Sequence, residues 1–246
     1  MRPTLHIKKH LRKFGYDIIK FRPDKHPVAQ RKALLAAYGI DLVLDVGAND
    51  GDFADELRSF GYRGRIVSFE PIHSTFLRLQ NKAWNDANWT ALHLALGEID
   101  GEREMHVAQN TLSSSLLEML DTHAVSDPDS KYIGKETIQL RRLDSVFGEL
   151  HGDARNIFLK LDTQGYERHV LEGAADSLAH IDTLQVEVSL VPLYEGGFLF
   201  EDMQTLLSEK GYRLVGVETV FTHPGHGETL QLDAIFHRDA LRQPGL

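Results

Sequence analysis

The sequence predicts a doubly wound α/β fold, and three observations predict it. From residue 28 onward, short β-rich runs alternate with helical patterns, the signature of a parallel sheet with helices on both faces. The first strand-like run opens into a glycine-rich turn, VGANDG, ahead of a helix. The chain closes on two strand-like runs joined by FTHPGHGET, a link too short for a parallel crossover and suited to an antiparallel hairpin.

Taken in order, residues 28–39 read as a helix ended by Gly39, 41–46 as a buried strand, 53–62 as a helix and 65–70 as a second strand. Ser74 reads as the cap of a helix over 74–85. Residues 90–97 read as a third strand, with 103–109 a candidate hairpin partner. Residues 108–136 break the rhythm: they are polar, carry Pro128 and Gly134, and predict a functional loop or lid. The rhythm returns with strands at 137–146 and 156–162, a helix over 166–180, a strand at 184–190 and a helix over 200–211. Residues 212–220 and 230–238 close the chain as the hairpin, giving a mostly parallel sheet of seven strands.

Composition sets outer limits. A chain of 246 residues, 42% hydrophobic and 26% charged, is long enough for one full α/β core with an ordinary soluble balance. There are no cysteines, which excludes disulfide scaffolds, cysteine-based zinc sites and thiol nucleophiles. No apolar run approaches the roughly 18–20 residues of a membrane span. No apolar signal core follows the basic start, so a cytoplasmic location is expected. The net charge of −9 argues against bulk nucleic-acid binding. It is unevenly spread: residues 1–27 carry eight Lys/Arg against Asp17 and Asp24, a surplus of +6, which leaves −15 for the remainder. Residues 1–27 therefore read as a separate basic arm or helix and 28–246 as the domain. The arm is either solvated or in contact with anionic membrane lipid or a phosphorylated substrate.

The turn after the first strand runs Asp45, Val46, Gly47, Ala48, Asn49, Asp50, Gly51. It brings a ligand close to the backbone and aims helix N-terminal N–H groups at it. The dinucleotide fingerprint G-x-G-x-x-G is not met, because Asn49 stands where the second glycine would be. S-adenosylmethionine (SAM) has no pyrophosphate and fits the shorter turn, with Asp45 and the amides of Gly47, Ala48, Asn49 and Gly51 facing its amino-acid end. The second strand ends in Glu70 and Pro71. An acid there is placed to accept both ribose hydroxyls, and Pro71 fixes its direction. Ala95 and Leu96, by position, flank the adenine. A parallel sheet finished by an antiparallel hairpin is the Rossmann-like class I methyltransferase pattern.

The blocks VLDVGANDG, FEP, SSSLL, RRLDSV and LKLDTQGYERHVLEGA, with the terminal DAIFHR, resemble the FkbM family of SAM-dependent methyltransferases over roughly residues 41–237. The resemblance implies O-methylation of a hydroxyl on a natural product, sugar or polysaccharide precursor, with S-adenosylhomocysteine as the cofactor product. It also implies cofactor contacts at Asp45, Gly47, Asn49 and Glu70. Residues 1–27 lie outside it.

Transfer to a hydroxyl requires alignment and loss of a proton. Asp162 sits at the sheet's carboxyl edge, in reach of both cofactor and reacting centre. As a base it is weak, with an unperturbed pKa near 3.9; it serves equally as a cap for the following helix. Glu187 interrupts an apolar strand and either faces the active site or lies solvated at a strand end. His93 and His123 are candidate bases with packing or surface roles as the alternative. Ser113, Ser114, Ser115 and Gln164 are candidate acceptor contacts. No spacing motif supports a metal, and none is expected. The rival readings are an N-methyltransferase, a NAD-dependent sugar oxidoreductase and a non-catalytic SAM-binding module.

Overall fold

The computed structural model describes residues 3–238. Residues 1–2 of the arm and 239–246 of the expected domain lie outside them. The strands are β1 (Leu42–Val46), β2 (Arg65–Phe69), β3 (Trp89–Leu92), β4 (Ala95–Leu96), β5 (Gly101–Ala108), β6 (Tyr132–Arg141), β7 (Ile157–Leu161), β8 (Thr183–Ser189), β9 (Arg213–Thr222) and β10 (Thr229–His237). The helices are α1 (Pro3–Arg12), α2 (Pro27–Ala37), α3 (Asp52–Ser59), α4 (His73–Ala83), α5 (Asp121–Ser126), α6 (Leu143–His151), α7 (Glu167–Glu172) and α8 (Phe200–Glu209).

Seven strands form one sheet in the order β3-β2-β1-β7-β8-β10-β9. β1 pairs in parallel with β2 and β7, while β10 runs antiparallel to both β8 and β9. This is the doubly wound, mostly parallel sheet with a closing antiparallel hairpin. β1 and β7 are buried along their whole length, and so LVLDV and IFLKL read as near-continuous apolar runs. On one face, Leu35 of α2, Leu57 of α3 and Leu79 of α4 pack on Val43, Ile66 and Phe158. On the other, Phe147 of α6, Val170 of α7 and Leu207 of α8 pack on Leu44, Leu159, Val186 and Phe236.

Five local expectations change. Residues 103–109 are not a hairpin partner of the third strand, because β5 pairs antiparallel with β6 instead. Residues 90–97 are not one strand: the chain leaves the main sheet after Leu92, and Ala95–Leu96 joins a second sheet ordered β4-β6-β5. The strand expected over 137–146 ends at Arg141, because Leu143 and Phe147, one helical turn apart, bury their side chains in the core. The helix expected over 166–180 is α7 followed by a 3-10 turn at Ser177–His180. The two part at Gly173, where a Cβ would lie 1.8 Å from the carbonyl oxygen of Gly97. Ile72, not Ser74, takes the N-cap of α4.

The polar stretch 108–136 is more ordered than a simple loop. It leaves β5, returns on β6, and carries α5 and a 3-10 turn at Pro128–Ser130 between them. Among the described residues, no helix is long and apolar enough to cross a membrane.

Candidate active site

The strand order reverses between β1 and β7, and in open sheets ligands bind at the carboxyl ends of strands beside such a reversal. A cavity of about 320 Å³ lies there. Its floor is the turn after β1, where Gly47, Asn49 and Gly51 have φ of 76°, 47° and 83°. Gly47 is demanded by contact as well as by conformation, since a Cβ there would sit 1.8 Å from the Asp162 carbonyl oxygen. The Asp162 N–H donates to Val46 O at 3.1 Å, and the N–H groups of Gly47 and Ala48 both donate to Phe69 O. The turn is thereby stitched to the tips of β2 and β7.

Glu70, just beyond β2, is buried and lines the cavity. Its Oε1 accepts the Ile72 N–H at 2.8 Å and its Oε2 the Asn49 N–H at 2.9 Å. Burial pushes its pKa up to about 7, and those two donors oppose the rise. A carboxylate has about four lone-pair sites, so both oxygens retain capacity for hydroxyl donors. Phe69, Ile72, Leu96 and Met105 supply apolar wall nearby.

The opposite end of the cavity is charged. Lys160 of β7 is buried, with Nζ 3.1 Å from Asp162 Oδ2, 3.5 Å from Asp45 Oδ1 and 5.2 Å from the centre of the Phe53 ring. Burial disfavours its ammonium, but Asp162, Asp45 and Asp233 together outweigh burial and raise its pKa. Gln164, held at φ 55°, spans the site. Its Nε2 donates to Asp162 Oδ1 at 2.9 Å and to Glu187 Oε2 at 2.6 Å, and its Oε1 accepts the Tyr194 hydroxyl at 2.6 Å. Gln231 Nε2 adds a 3.0 Å bond to Glu187 Oε2. Burial raises the Glu187 pKa well above the carboxylate range, and Asp162, Asp233 and Glu167 push it the same way. Glu167 Oε1 ties the turn together by accepting the Thr163 N–H at 2.7 Å, the Thr163 hydroxyl at 3.1 Å and the Gly165 N–H at 3.2 Å.

The family described as the methyltransferase FkbM domain matches residues 45–214. The chain belongs to the FkbM methyltransferase family. It is a SAM-dependent methyltransferase. It is 30% identical over 177 residues to the AMB antimetabolite synthetase AmbE of Pseudomonas aeruginosa, a match covering 60% of this chain and 8% of AmbE. The chain thus spans a small part of that relative's length. It is 27% identical over 181 residues to Methyltransferase 1 of Beauveria bassiana, covering 69% of this chain and 71% of the relative. Among solved structures it is similar to magnesium protoporphyrin IX methyltransferase (ChlM) from Synechocystis PCC 6803, with a TM-score of 0.49 and 12% identity over 87% of this chain and 78% of that one.

In this FkbM methyltransferase the sequence-predicted residues fall into two groups. Gly47, Ala48 and Asn49 line the cavity from the β1 turn, Glu70 and Pro71 from the end of β2, and Ala95 and Leu96 from β4. Asp162, Gln164 and Glu187 line it from β7 and β8, and Ser114 from the stretch between β5 and β6.

Six others do not line it. Asp45 is fully buried beneath the turn, accepting from Ser68 Oγ at 3.1 Å on Oδ2 and facing Lys160 with Oδ1, so it acts at one remove. A Cβ on Gly51 would meet Leu79 and Trp89, which places that glycine against the core. His93 is exposed, with Nε2 3.0 Å from Pro71 O and its ring stacked on Phe76. Ser113 Oγ accepts from Asn110, and Ser115 Oγ donates to Gln164 O at 2.7 Å, so both serve the fold of the segment. His123 is buried edge-on against Tyr194, and burial lowers its pKa. It packs there and does not line the cavity.

The sequence reading passed over Glu167, Tyr194, Gln231 and Asp233, one of the three charge partners of Lys160. One signal was available: β7, β8 and β10 each interrupt an apolar run with a single charge, Lys160, Glu187 and Asp233. Among the described residues, no group of three or more His, Cys, Asp or Glu is placed to hold a metal ion.

Proposed function

We propose that this enzyme methylates a hydroxyl of a neutral small molecule, a sugar or natural-product precursor, with Glu187 as proton acceptor and Asp162 orienting the hydroxyl. The supporting observation is the Gln164 amide, which holds both carboxylates at the cavity that Glu70 also lines. When bound, SAM supplies a sulfonium methyl open to in-line displacement. A buried carboxylate beside a glycine turn and apolar walls suits that cofactor. Glu70 holds its ribose hydroxyls and Ala95 and Leu96 its adenine; the Gly47–Asn49 turn packs against its amino-acid end, but contrary to the expectation of free loop amides its N–H groups already donate to Phe69 and Glu70.

The chain's own groups then handle the proton. An ordinary carboxylate is too weak a base for an alcohol, whereas burial makes Glu187 more basic. Gln164 and Gln231 both donate to its Oε2, and among the described residues its Oε1 takes no hydrogen bond. That oxygen receives the proton. Asp162, paired with Lys160, holds the acceptor hydroxyl in line. Asp162 and, once ionised, Glu187 line this end of the cavity and repel anionic acceptors, which favours a neutral one. The relationship to part of an antimetabolite synthetase supports a natural-product acceptor.

The test is transfer of labelled methyl from SAM to pools of neutral sugars, polyols and phenols, run beside pools of amines. Label recovered as methyl ether supports the proposal. Label recovered only on amines overturns it.

A further inference from the structure

We propose that the N-terminal arm, residues 7–22, docks this enzyme on an anionic lipid bilayer. Ile7, Phe14, Tyr16, Ile18, Ile19 and Phe21 are each more than half exposed. Single exposed apolar side chains are ordinary on a protein surface, but six of them within fifteen residues concentrate exposed apolar surface on one short segment, which signals an interaction site. Basic residues are interleaved with them: Lys8, Lys9, Arg12, Lys13, Lys20 and Arg22. Apolar and aromatic side chains among lysines and arginines are what a segment lying in the headgroup layer requires.

The arm has a shape of its own. α1 ends in a turn at Gly15, φ 80°, and Asp17 reaches back to Arg12 at 2.8 Å and Lys8 at 3.6 Å. Asp24 is likewise engaged by Arg22 and Lys25. Both acids of the arm are therefore answered by its own cations. Among the described residues, Lys9, Lys13 and Lys20 have no acidic partner, and they present their charge to whatever docks.

Charge identifies the occupant. Residues 1–27 carry +6 and the remainder −15. A negative surface attracts the arm and repels the body, so it both binds the enzyme and orients it. A second copy of the chain offers a negative body too, but protein interfaces are depleted in lysine, whereas bilayer-surface segments are rich in it.

The experiment is co-sedimentation of the full chain with phosphatidylserine-rich vesicles and with vesicles of phosphatidylcholine alone. The expected result is pelleting with the former only, reversed by high salt. The triple variant Lys9→Glu, Lys13→Glu, Lys20→Glu should lower partitioning by about tenfold or more. Phe14→Ser with Phe21→Ser should weaken it at unchanged charge. Neither variant touches the cofactor cavity, so unchanged S-adenosylhomocysteine binding certifies their folding. Failure to pellet with either vesicle overturns the proposal. So does a dimer in solution that the Phe14→Ser, Phe21→Ser variant dissociates, since the apolar patch would then belong to a second copy.

Discussion

Gly47 and Asp162 are in backbone contact: the position a Cβ would take on Gly47 lies 1.8 Å from the carbonyl oxygen of Asp162. The turn after β1 and the end of β7 leave no room for a methyl group between them. Gly47→Ala should therefore abolish detectable cofactor binding in calorimetry and lower the melting temperature. Gly61, also left-handed with φ 95°, has nothing within 4 Å of its Cβ position. Gly61→Ala should incur only the backbone cost, about 1–2 kcal/mol, and bind cofactor normally. Equal losses in both variants would show that conformation, not contact, governs the turn.

Glu70 should make cofactor affinity depend on pH. Its folded pKa of about 7 lies above the 4.5 of an unperturbed glutamate. Between those values the folded protein binds more protons than the unfolded chain, so this group lowers apo stability as pH rises, with the full cost reached above about 7. Ribose hydroxyls donate to the ionised form and favour it. S-adenosylhomocysteine should thus bind more weakly below pH 7, and Glu70→Gln should flatten that part of the profile. Glu70→Ala should lose about 2–4 kcal/mol of affinity, read by titration calorimetry. An unchanged dissociation constant would move the ribose site elsewhere.

The fold was legible wherever periodicity and turn chemistry agree. LVLDV and IFLKL announce buried parallel strands, and the short FTHPGHGET link announces the hairpin. The lining of the cavity from the β1 turn and the end of β2 was legible for the same reason: Gly47, Asn49 and Glu70 sit at strand tips, which sequence locates well. At the other end Asp162, Gln164 and Glu187 were legible one by one, but their convergence was not. Gln164 belongs to a turn whose left-handed backbone brings its amide between Asp162 and Glu187, residues on two different strands. Tyr194 and Gln231 arrive from elements still further along the chain. No local pattern encodes such long-range convergence. Nor does sequence tell where a histidine ring lies: His93 and His123, read as candidate bases, are held by stacking and edge contacts and do not line the cavity.

The stretch between β5 and β6 should respond to ligands. It touches the cofactor turn where Asn49 Nδ2 donates to Thr111 Oγ1 at 3.2 Å, and the catalytic turn where Ser115 Oγ donates to Gln164 O at 2.7 Å. Thr111 itself is left-handed, φ 54°. Amide exchange over residues 109–120 should slow when S-adenosylhomocysteine binds, and slow further with acceptor. Ser115→Ala should speed exchange there and raise the acceptor KM more than it lowers cofactor affinity. Exchange indifferent to both ligands would make the stretch a surface insertion.

Asp162 and Glu187 share the Gln164 amide, yet mutating them is expected to change the pH dependence of turnover in different ways. Glu187→Gln keeps a carbonyl oxygen for the Gln164 donor and removes the base. Turnover should fall by about two to four orders of magnitude, with cofactor affinity unchanged. The wild-type rate should rise with pH as Glu187 ionises, because the raised pKa keeps it protonated at lower pH. That rising limb should vanish in Glu187→Gln. Asp162→Asn removes the negative charge that helps raise the Glu187 pKa. The limb should survive there and move to lower pH, with reduced turnover and a higher acceptor KM from the misheld hydroxyl. Melting curves separate these effects from a loss of fold, since Asp162→Asn also leaves Lys160 with a weaker set of counter-charges. If Asp162→Asn erases the rising limb and Glu187→Gln retains it, Asp162 is the base and Glu187 the orienting group.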